Sequence, residues 1–364
     1  MSFYAEIIKS GIVFRRPFRA ASNAFQVFRS APKAGKPFML KFESSAICNL
    51  RCKMCPLSNG LSRKTGVLAF KNFKKVYDEL TPCYLNLTGI GEPLLNPEIF
   101  KIIEYARKKG SLVKMDTNAT LLTDEKIKKL IDADPTFLSV SLDGITKESY
   151  NSIRRGANFD DVIQNLKKLV KYRNKVNSKT KIHLFLVLQK DNVLDLPEFI
   201  RFGDKLGIDA VNSTIVTPLG KNKNLGSLKI KEEDKKRIKE EIDKLKGKIK
   251  ISLNIESVYN FLTGKVETMQ DKKCFWPWYQ FSLTWDGYVT PCCVLCDNEI
   301  VLGNAFKENS MKVWNNQKMQ QFRKQMIRQR AGLCLTCSVD ESFIYNKFKP
   351  FYKTPLINLL SYRR

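Results

Sequence analysis

The region from residue 38 to residue 216 alternates between short apolar runs and amphipathic, lysine-rich segments, and this alternation constrains the fold most. Helical segments are predicted near residues 70–80, 97–109, 123–132, 159–173 and 195–206. Strands alternating with helices form a parallel sheet covered by helices. Because parallel crossovers are right-handed, we expect an α/β fold whose sheet curls into a partial (β/α)6 barrel that binds ligands at the carboxyl ends of its strands. The six predicted strands are Phe38–Ser44, Tyr84–Thr88, Leu112–Thr117, Phe137–Leu142, Ile182–Leu188 and Ala210–Val216.

The chain is long enough for a large domain and a smaller one, with 364 residues of which 43% are hydrophobic. A charged helix in the connecting region carries Ile238, Ile242 and Leu245 on one face and ends at Gly247. The composition predicts a basic amphipathic N-terminal segment, the barrel core, a linker with a charged helix and a strand, a small cysteine-rich domain and a basic aromatic tail. Their predicted bounds are 1–36, 37–217, 218–269, 270–340 and 341–364.

The chain is strongly basic, with 63 lysines and arginines against 36 acidic residues and a net charge of +27. Such a charge favours a polyanionic neighbour, either an anionic membrane surface or nucleic acid, although lysines on ordinary exposed helix faces also explain it. No apolar run is long enough to span a membrane, and arginines interrupt the N-terminal apolar runs, so no cleavable signal is predicted. The ten cysteines are clustered, which predicts metal ligands in a reducing cytoplasm rather than disulfides.

Aromatic residues at helical spacing near the N-terminus predict a basic amphipathic helix. Such a helix lies on an anionic membrane, so we expect a cytoplasmic protein that is peripheral at the inner face of the membrane. The alternative is that both ends of the chain pack against the barrel. The predicted apolar face comprises Phe14, Phe18, Ala21, Phe25 and Phe28, and the C-terminal tail repeats the pattern with Phe343, Tyr345, Phe348, Phe351 and Tyr352.

Three cysteines in one short loop follow the first predicted strand. Cys48, Cys52 and Cys55 have the spacing Cys-x3-Cys-x2-Cys, and three thiolates so placed can converge on an iron–sulfur cubane. No fourth cysteine lies nearby, so one iron would keep an open coordination position, as in a reactive rather than a structural site. Structural zinc is the alternative, but it needs a fourth ligand. The only histidine, His183, lies in an apolar strand and is predicted to be a core residue.

With Met54 before its last cysteine, this loop resembles the cysteine motif of the radical S-adenosylmethionine (radical SAM) superfamily. The segment Gly89-Ile90-Gly91-Glu92-Pro93 ends the second strand and is similar to the Gly-Gly-Glu-Pro loop of that family. The resemblance covers residues 37–216. It implies that S-adenosylmethionine chelates the open iron of a [4Fe–4S] cluster and is reductively cleaved to a 5′-deoxyadenosyl radical. It also implies an electron donor such as flavodoxin or ferredoxin.

The resemblance predicts which residues contact S-adenosylmethionine. The glycines permit close backbone approach, and the Glu92 carboxylate suits the methionyl ammonium group. Asn118 follows the third predicted strand and Ser141 lies near the end of the fourth, and both are predicted to contact hydroxyl groups of S-adenosylmethionine. Arg154 or its neighbour Arg155 suits the methionyl carboxylate. The predicted contacts are Met54, Gly89, Gly91, Glu92, Pro93, Asn118, Ser141 and Arg154.

A second cysteine set lies near the C-terminus. Asp286-Gly287 between two apolar runs predicts a hairpin that brings the strand of Cys274 beside Cys292, and the Cys334-x2-Cys337 pair closes the site. The layout resembles the SPASM or twitch auxiliary domain, which implies a second [4Fe–4S] cluster. Its predicted ligands are Cys274, Cys292, Cys334 and Cys337, with Cys293 or Cys296 as substitutes and a zinc ribbon as the alternative. Cys83 is predicted to be a small buried apolar residue.

The predicted function is that of a radical SAM oxidoreductase or C–H functionalising enzyme, whose radical removes a hydrogen atom from a lipid, a small molecule or a peptide. The alternative is a non-catalytic iron–sulfur protein that binds nucleic acid through its charge. Nucleic acid is the less favoured partner.

Overall fold

The computed structural model describes residues 31–216, 230–264, 276–292 and 297–328, together with the single positions 22, 25, 26, 29, 274 and 334. Most of the predicted N-terminal helix, the whole C-terminal tail, and Cys293, Cys296 and Cys337 lie outside the described residues. The strands are β1 (Met39–Phe42), β2 (Tyr84–Asn86), β3 (Leu112–Thr117), β4 (Phe137–Ser141), β5 (Lys181–Leu188), β6 (Ala210–Ile215), β7 (Ser252–Asn254), β8 (Gln280–Leu283), β9 (Tyr288–Thr290) and β10 (Gly303–Asn304).

The described helices include all those that the sequence predicts between residues 70 and 247. They are α1 (Phe70–Leu80), α2 (Ile99–Lys108), α3 (Asp124–Asp132), α4 (Lys147–Ile153), α5 (Phe159–Lys175), α6 (Leu196–Leu206), α7 (Glu232–Leu245), α8 (Glu256–Leu262), α9 (Trp276–Tyr279), α10 (Ser310–Trp314) and α11 (Gln317–Arg328). Short 3-10 turns cover Pro56–Ser58, Pro93–Leu95 and Val193–Asp195. Several helices begin at a capping side chain; in α3, for example, Thr123 Oγ1 accepts from the backbone N–H of Lys126. Among the described helices, none is both long and apolar enough to cross a membrane.

All ten described strands form one sheet in the order β10-β9-β8-β1-β2-β3-β4-β5-β6-β7. Neighbouring strands from β1 to β7 are parallel, and β8 is parallel to the other side of β1. Side chains from β1, from β3 to β6 and from β8 line one cavity, so the sheet curls around it. The predicted α/β fold with a partial parallel barrel is therefore confirmed, and the sheet gains β7 and β8 as further parallel strands.

Alternating side chains give the sheet an apolar outer face and a polar inner face. Outward residues such as Leu40 and Phe42 on β1 are fully buried in the main core beneath the helices. A second apolar cluster, which contains Met39, Tyr84, Leu112 and Phe137, belongs to the inner face near the amino ends of the strands. Above it, the inner positions are mostly polar. Because buried polar groups are costly unless they have partners, this inner face is suited to a solvated chamber with a ligand rather than to a core.

The predicted hairpin forms, but Cys274 does not lie on it. β8 and β9 are antiparallel, and their turn ends at Gly287, whose φ of +87° suits glycine. Residues 276–279 instead form α9, whose first turn contains Pro277, a position where a proline is tolerated. Cys274 therefore precedes a helix that leads into β8, which corrects the strand expected at that position.

Candidate active site

Cys48, Cys52 and Cys55 lie in the loop between β1 and α1, and all three line a cavity of about 500 Å³ at the carboxyl ends of the strands. Burial raises the pKa of Cys52 to about 11 and also raises the pKa of the other two thiols. The backbone N–H of Leu50 donates to Cys48 Sγ over 3.4 Å, an arrangement that suits a thiolate acceptor. Within the described residues, no three His, Cys, Asp or Glu side chains converge closely enough to hold a single metal ion.

The glycine loop lies directly against the cysteine loop. The N–H of Gly91 donates to the carbonyl of Ser45 over 3.1 Å, and that of Glu92 donates to the carbonyl of Ile47 over 2.8 Å. A Cβ atom at position 91 would lie 2.4 Å from the Ile47 carbonyl oxygen, so only glycine fits this approach. The three thiols and the glycine loop therefore line one cavity, an arrangement that fits an iron–sulfur cluster with a chelating nucleotide.

Glu92 is buried and already accepts several hydrogen bonds. Its carboxylate accepts from Thr117 Oγ1 and the Asn118 N–H, each over 2.7 Å, and from the Leu94 N–H over 3.2 Å. Burial raises the pKa of Glu92, and these donors oppose that effect. The predicted ammonium acceptor therefore also joins the glycine loop to the end of β3.

The Asn118 side chain is directed at the cysteine loop. Its Nδ2 donates to Asn49 Oδ1 over 3.0 Å and lies 3.8 Å from Cys48 Sγ, while its Oδ1 accepts from Thr120 Oγ1 over 2.7 Å. The amide predicted to contact a hydroxyl group of the nucleotide is therefore hydrogen-bonded to the cysteine loop beside Cys48. Asn118 still lines the cavity, as do the other predicted contacts, namely Met54, Gly89, Gly91, Glu92, Pro93, Ser141 and Arg154.

Arg154, at the end of α4, forms a buried ion pair with Asp143. Both Nε and Nη2 of Arg154 lie 2.6 Å from Asp143 Oδ2, and the carboxylate is fully buried. Asp143 Oδ1 accepts in addition from the Val187 N–H over 2.8 Å. The arginine is therefore held at the cavity wall by a partner that the sequence did not indicate.

One of the described C-terminal cysteines reaches the same cavity. Cys292, after β9, lines it together with Cys48, Cys52 and Cys55. Cys274 and Cys334 are half-buried against the main core, and Cys337 lies outside the described residues. The structure therefore brings one predicted auxiliary ligand into the cavity of the first cysteine set.

Sequence reasoning did not single out the residues that complete the cavity wall. On β1, inward residues alternate with the apolar outward ones, so a strand that reads Met-Leu-Lys-Phe-Glu could have revealed Lys41 and Glu43 as lining residues. No sequence pattern of this kind indicates the lining residues that come from segments far apart along the chain. The further lining residues include Lys41, Glu43, Arg63, Asp116, Thr214 and Ser282.

Comparison with known protein families matches two regions of the chain. The family model of the radical SAM superfamily matches residues 42–203, and that of the SPASM iron–sulfur cluster-binding domain matches residues 274–338. The cofactors of this chain are therefore S-adenosylmethionine, a catalytic [4Fe–4S] cluster and an auxiliary iron–sulfur cluster. The match favours an enzyme over the non-catalytic nucleic-acid-binding alternative.

Two relatives are similar over most of their length, and a third is similar over less than half. The tungsten-containing aldehyde ferredoxin oxidoreductase cofactor-modifying protein of Pyrococcus furiosus is 27% identical over 83% of this chain and 88% of its own. The AdoMet-dependent heme synthase of Methanosarcina barkeri is 26% identical over 82% of this chain and 88% of its own. The mycofactocin maturase MftC of Mycobacterium tuberculosis is 30% identical over 47% of this chain, an alignment that covers less than half of the maturase, 43%.

Solved structures share the fold at lower identity. SuiB of Streptococcus suis bound to S-adenosylmethionine superimposes with a TM-score of 0.64 at 18% identity, over 88% of this chain and 78% of SuiB. Native anSMEcpe with bound AdoMet gives a TM-score of 0.62 at 22% identity, over 79% of this chain and 83% of that protein. Together with the two matched domains and the cavity that unites the cysteine and glycine motifs, these findings show that the chain belongs to the radical SAM superfamily and carries a C-terminal SPASM domain.

Proposed function

We propose that Cys48, Cys52 and Cys55 hold the catalytic cluster and that the adjoining cavity binds S-adenosylmethionine and the substrate together. The observation that supports this is that the three thiols, the glycine loop and Cys292 all line one cavity. When bound, the cluster would supply the electron for reductive cleavage of S-adenosylmethionine, with release of methionine, and the cavity would thereby support hydrogen-atom abstraction from the substrate. The protein's own residues position the reactants and exclude water.

Glu92 and Arg154 are the residues that we propose to orient the methionyl group. A carboxylate offers about four acceptor positions, and the three donors to Glu92 leave one for an ammonium group. A guanidinium has five N–H donors, and Asp143 occupies only those on Nε and Nη2 of Arg154. The remaining donors suit the methionyl carboxylate.

The C-terminal cysteines are the proposed ligands of the auxiliary cluster, namely Cys274, Cys292, Cys334 and Cys337. Because Cys292 lines the same cavity as the first set, this cluster would border the substrate. Such a position suits either the acceptance of an electron from an oxidised substrate or direct substrate binding. Of the predicted substrate classes, we favour a polar small molecule or a peptide over a lipid, because an acyl chain would desolvate the ionic groups of the inner wall.

The decisive test is reductive cleavage of S-adenosylmethionine by protein reconstituted with iron and sulfide and reduced with dithionite. We expect 5′-deoxyadenosine from the wild type and a loss of about 100-fold or more in Cys52→Ala, because the cluster loses a ligand. Cys83→Ala is the matched control, since Cys83 is buried in the inner apolar cluster away from the cavity. A Cys52→Ala variant that cleaves as fast as Cys83→Ala would refute the ligand assignment.

We also propose that an acidic flavodoxin or ferredoxin delivers the electron in a reducing cytoplasm. The net charge of +27 favours encounter with an acidic donor, and this attraction weakens with salt. The same charge supports peripheral binding at an anionic membrane through the N-terminal segment. Flotation with anionic liposomes tests this second proposal, and unchanged flotation after removal of residues 1–30 would reject it.

A further inference from the structure

Lys41 is a charged residue of the inner wall of the cavity. It lies on β1, where its neighbours Leu40 and Phe42 point outward into the core. Met39, on the same face as Lys41, belongs to the inner apolar cluster. In register, Lys41 lies opposite Asn86 of β2 and Ser282 of β8. Its side chain therefore enters the chamber from the strand itself, one inward position below Glu43.

The other charged side chains of the cavity wall have partners. Arg63 pairs with Glu43 and Arg154 with Asp143, each over 2.6 Å. Asp116 pairs with Lys114 over 3.0 Å, and Glu92 accepts three hydrogen bonds. By contrast, the ammonium group of Lys41 makes no hydrogen bond or ion pair with any described residue. Among the charged side chains that line the described wall, Lys41 is therefore the one without a hydrogen-bond or ion-pair partner.

We infer that Lys41 binds a carboxylate of the substrate, an inference that rests on the proposed function of the same cavity. A half-buried ammonium group attracts an anion more strongly than an exposed one, because the surroundings screen it less. Hydroxyl groups of Ser282 and Thr214 line the cavity as additional donors. One cation with hydroxyl groups matches a single negative charge, whereas phosphate sites assemble several cations or backbone N–H groups.

The position of Lys41 assigns this carboxylate to the substrate rather than to S-adenosylmethionine. The cysteine and glycine loops both begin beyond the carboxyl ends of β1 and β2, and the proposed methionyl contacts Glu92 and Arg154 lie in loops or at a helix end. Lys41 lies within the strand, deeper in the barrel. A substrate carboxylate held there directs the rest of the substrate upward, toward the cysteine loop.

Binding of radiolabelled succinate to the reconstituted holoenzyme, measured by equilibrium dialysis at about 0.15 M salt to screen the basic surface, tests the inference. We expect saturable binding that weakens by about tenfold or more in Lys41→Met and persists in Lys41→Arg. Lys71→Met is the matched control, since Lys71 is an exposed lysine of α1. Neutral succinamide should not compete, and inorganic phosphate should compete less well than succinate.

Equal succinate binding by Lys41→Met and the wild type, or stronger competition by phosphate, would overturn the inference. So would exclusion of succinate by S-adenosylmethionine together with weaker binding of that nucleotide to Lys41→Met, because Lys41 would then hold the cofactor.

A measurement on the wild type alone guards against misfolding of the variant. Succinate should slow acetylation of Lys41 by acetic anhydride, followed by mass spectrometry, without slowing that of Lys71. The same preparation is assayed for 5′-deoxyadenosine. Protection without cleavage would refute only the proposed function, and cleavage without protection would refute only the carboxylate site.

Discussion

Glu43, immediately after β1, accepts a 2.6 Å hydrogen bond from Nη2 of Arg63, and each of the two side chains is only 7% exposed. The same carboxylate accepts from the N–H of Ile90 over 3.3 Å and from that of Trp285 over 3.2 Å. One acid thus joins three segments: the stretch after the cysteine loop, the glycine loop and the hairpin turn of the C-terminal domain. Because both charges are buried, the loss of either partner leaves the other uncompensated.

Replacement of Glu43 tests whether this carboxylate holds the three segments together. In Glu43→Gln we expect the free energy of unfolding of the iron-free protein to fall by about 3 to 5 kcal/mol, because Arg63 stays charged and buried. Affinity for S-adenosylmethionine should also fall, since the glycine loop loses an anchor. Urea unfolding and equilibrium dialysis measure the two effects. Glu125→Gln, which breaks an exposed pair with Lys129, should leave the free energy of unfolding nearly unchanged, because solvent screens that pair. An equal loss of stability in both variants would contradict the role of Glu43.

Gly91→Ala tests the close approach of the two motif loops. The new Cβ would lie 2.4 Å from the Ile47 carbonyl oxygen and 2.6 Å from that of Ser45, so the loops must separate. We expect affinity for S-adenosylmethionine to fall by about tenfold or more, as measured by equilibrium dialysis. The control Gly110→Ala strains a φ of +84° in open space, which should cost about 1 kcal/mol of stability and leave that affinity unchanged. Normal affinity in Gly91→Ala would show that the contact is dispensable.

A double variant separates the structural role of Arg154 from its proposed role toward the cofactor. Arg154→Met leaves the fully buried Asp143 without its cation and should cost about 3 to 5 kcal/mol. Adding Asp143→Asn should recover part of that stability, because the unpaired charge is gone. If Arg154 binds the methionyl carboxylate, affinity for S-adenosylmethionine will stay low in the double variant. Restored affinity would mean that Arg154 acts only through Asp143.

The burial of the single histidine, His183, predicts how the free energy of unfolding depends on pH. His183 is fully buried, and burial lowers its pKa from 6.5 to about 4. Asn212 Nδ2 lies 3.2 Å from its Nδ1, beside the Phe137 ring. The charged groups that also act on His183 are Lys114, Asp116, Lys181 and Asp209.

Below about pH 6.5 the unfolded chain binds a proton at this histidine, whereas the native protein does not until about pH 4. Stability therefore declines as the pH falls through this window, by about 3 kcal/mol in total. The pH dependence of urea unfolding should be flatter by that amount in His183→Asn. Identical pH dependence in both proteins would show that burial does not lower the pKa of His183 in the native state.

Local patterns were sufficient to predict most of the barrel. The bounds of β3 and of the helix Phe70–Leu80 agree with the predicted ones, because a strand or helix with one buried face repeats apolar residues at its own period. By contrast, no local sequence pattern indicates which strand pairs with which. Gln280 lies beside Met39 in the sheet although the two are far apart along the chain, so no pattern in either segment indicated that β8 extends the barrel.

The sequence by itself determined the family and the alternation of strands and helices, and it supplied the cysteine spacing from which the iron ligands are predicted, because these depend on short segments. Only the tertiary structure decided which charges meet. It paired Glu43 with Arg63 and Asp143 with Arg154, turned Asn118 toward Cys48, and left Lys41 unmatched in the chamber. Electrostatic energy depends on distance and burial in space, and neither can be read from separation along the chain.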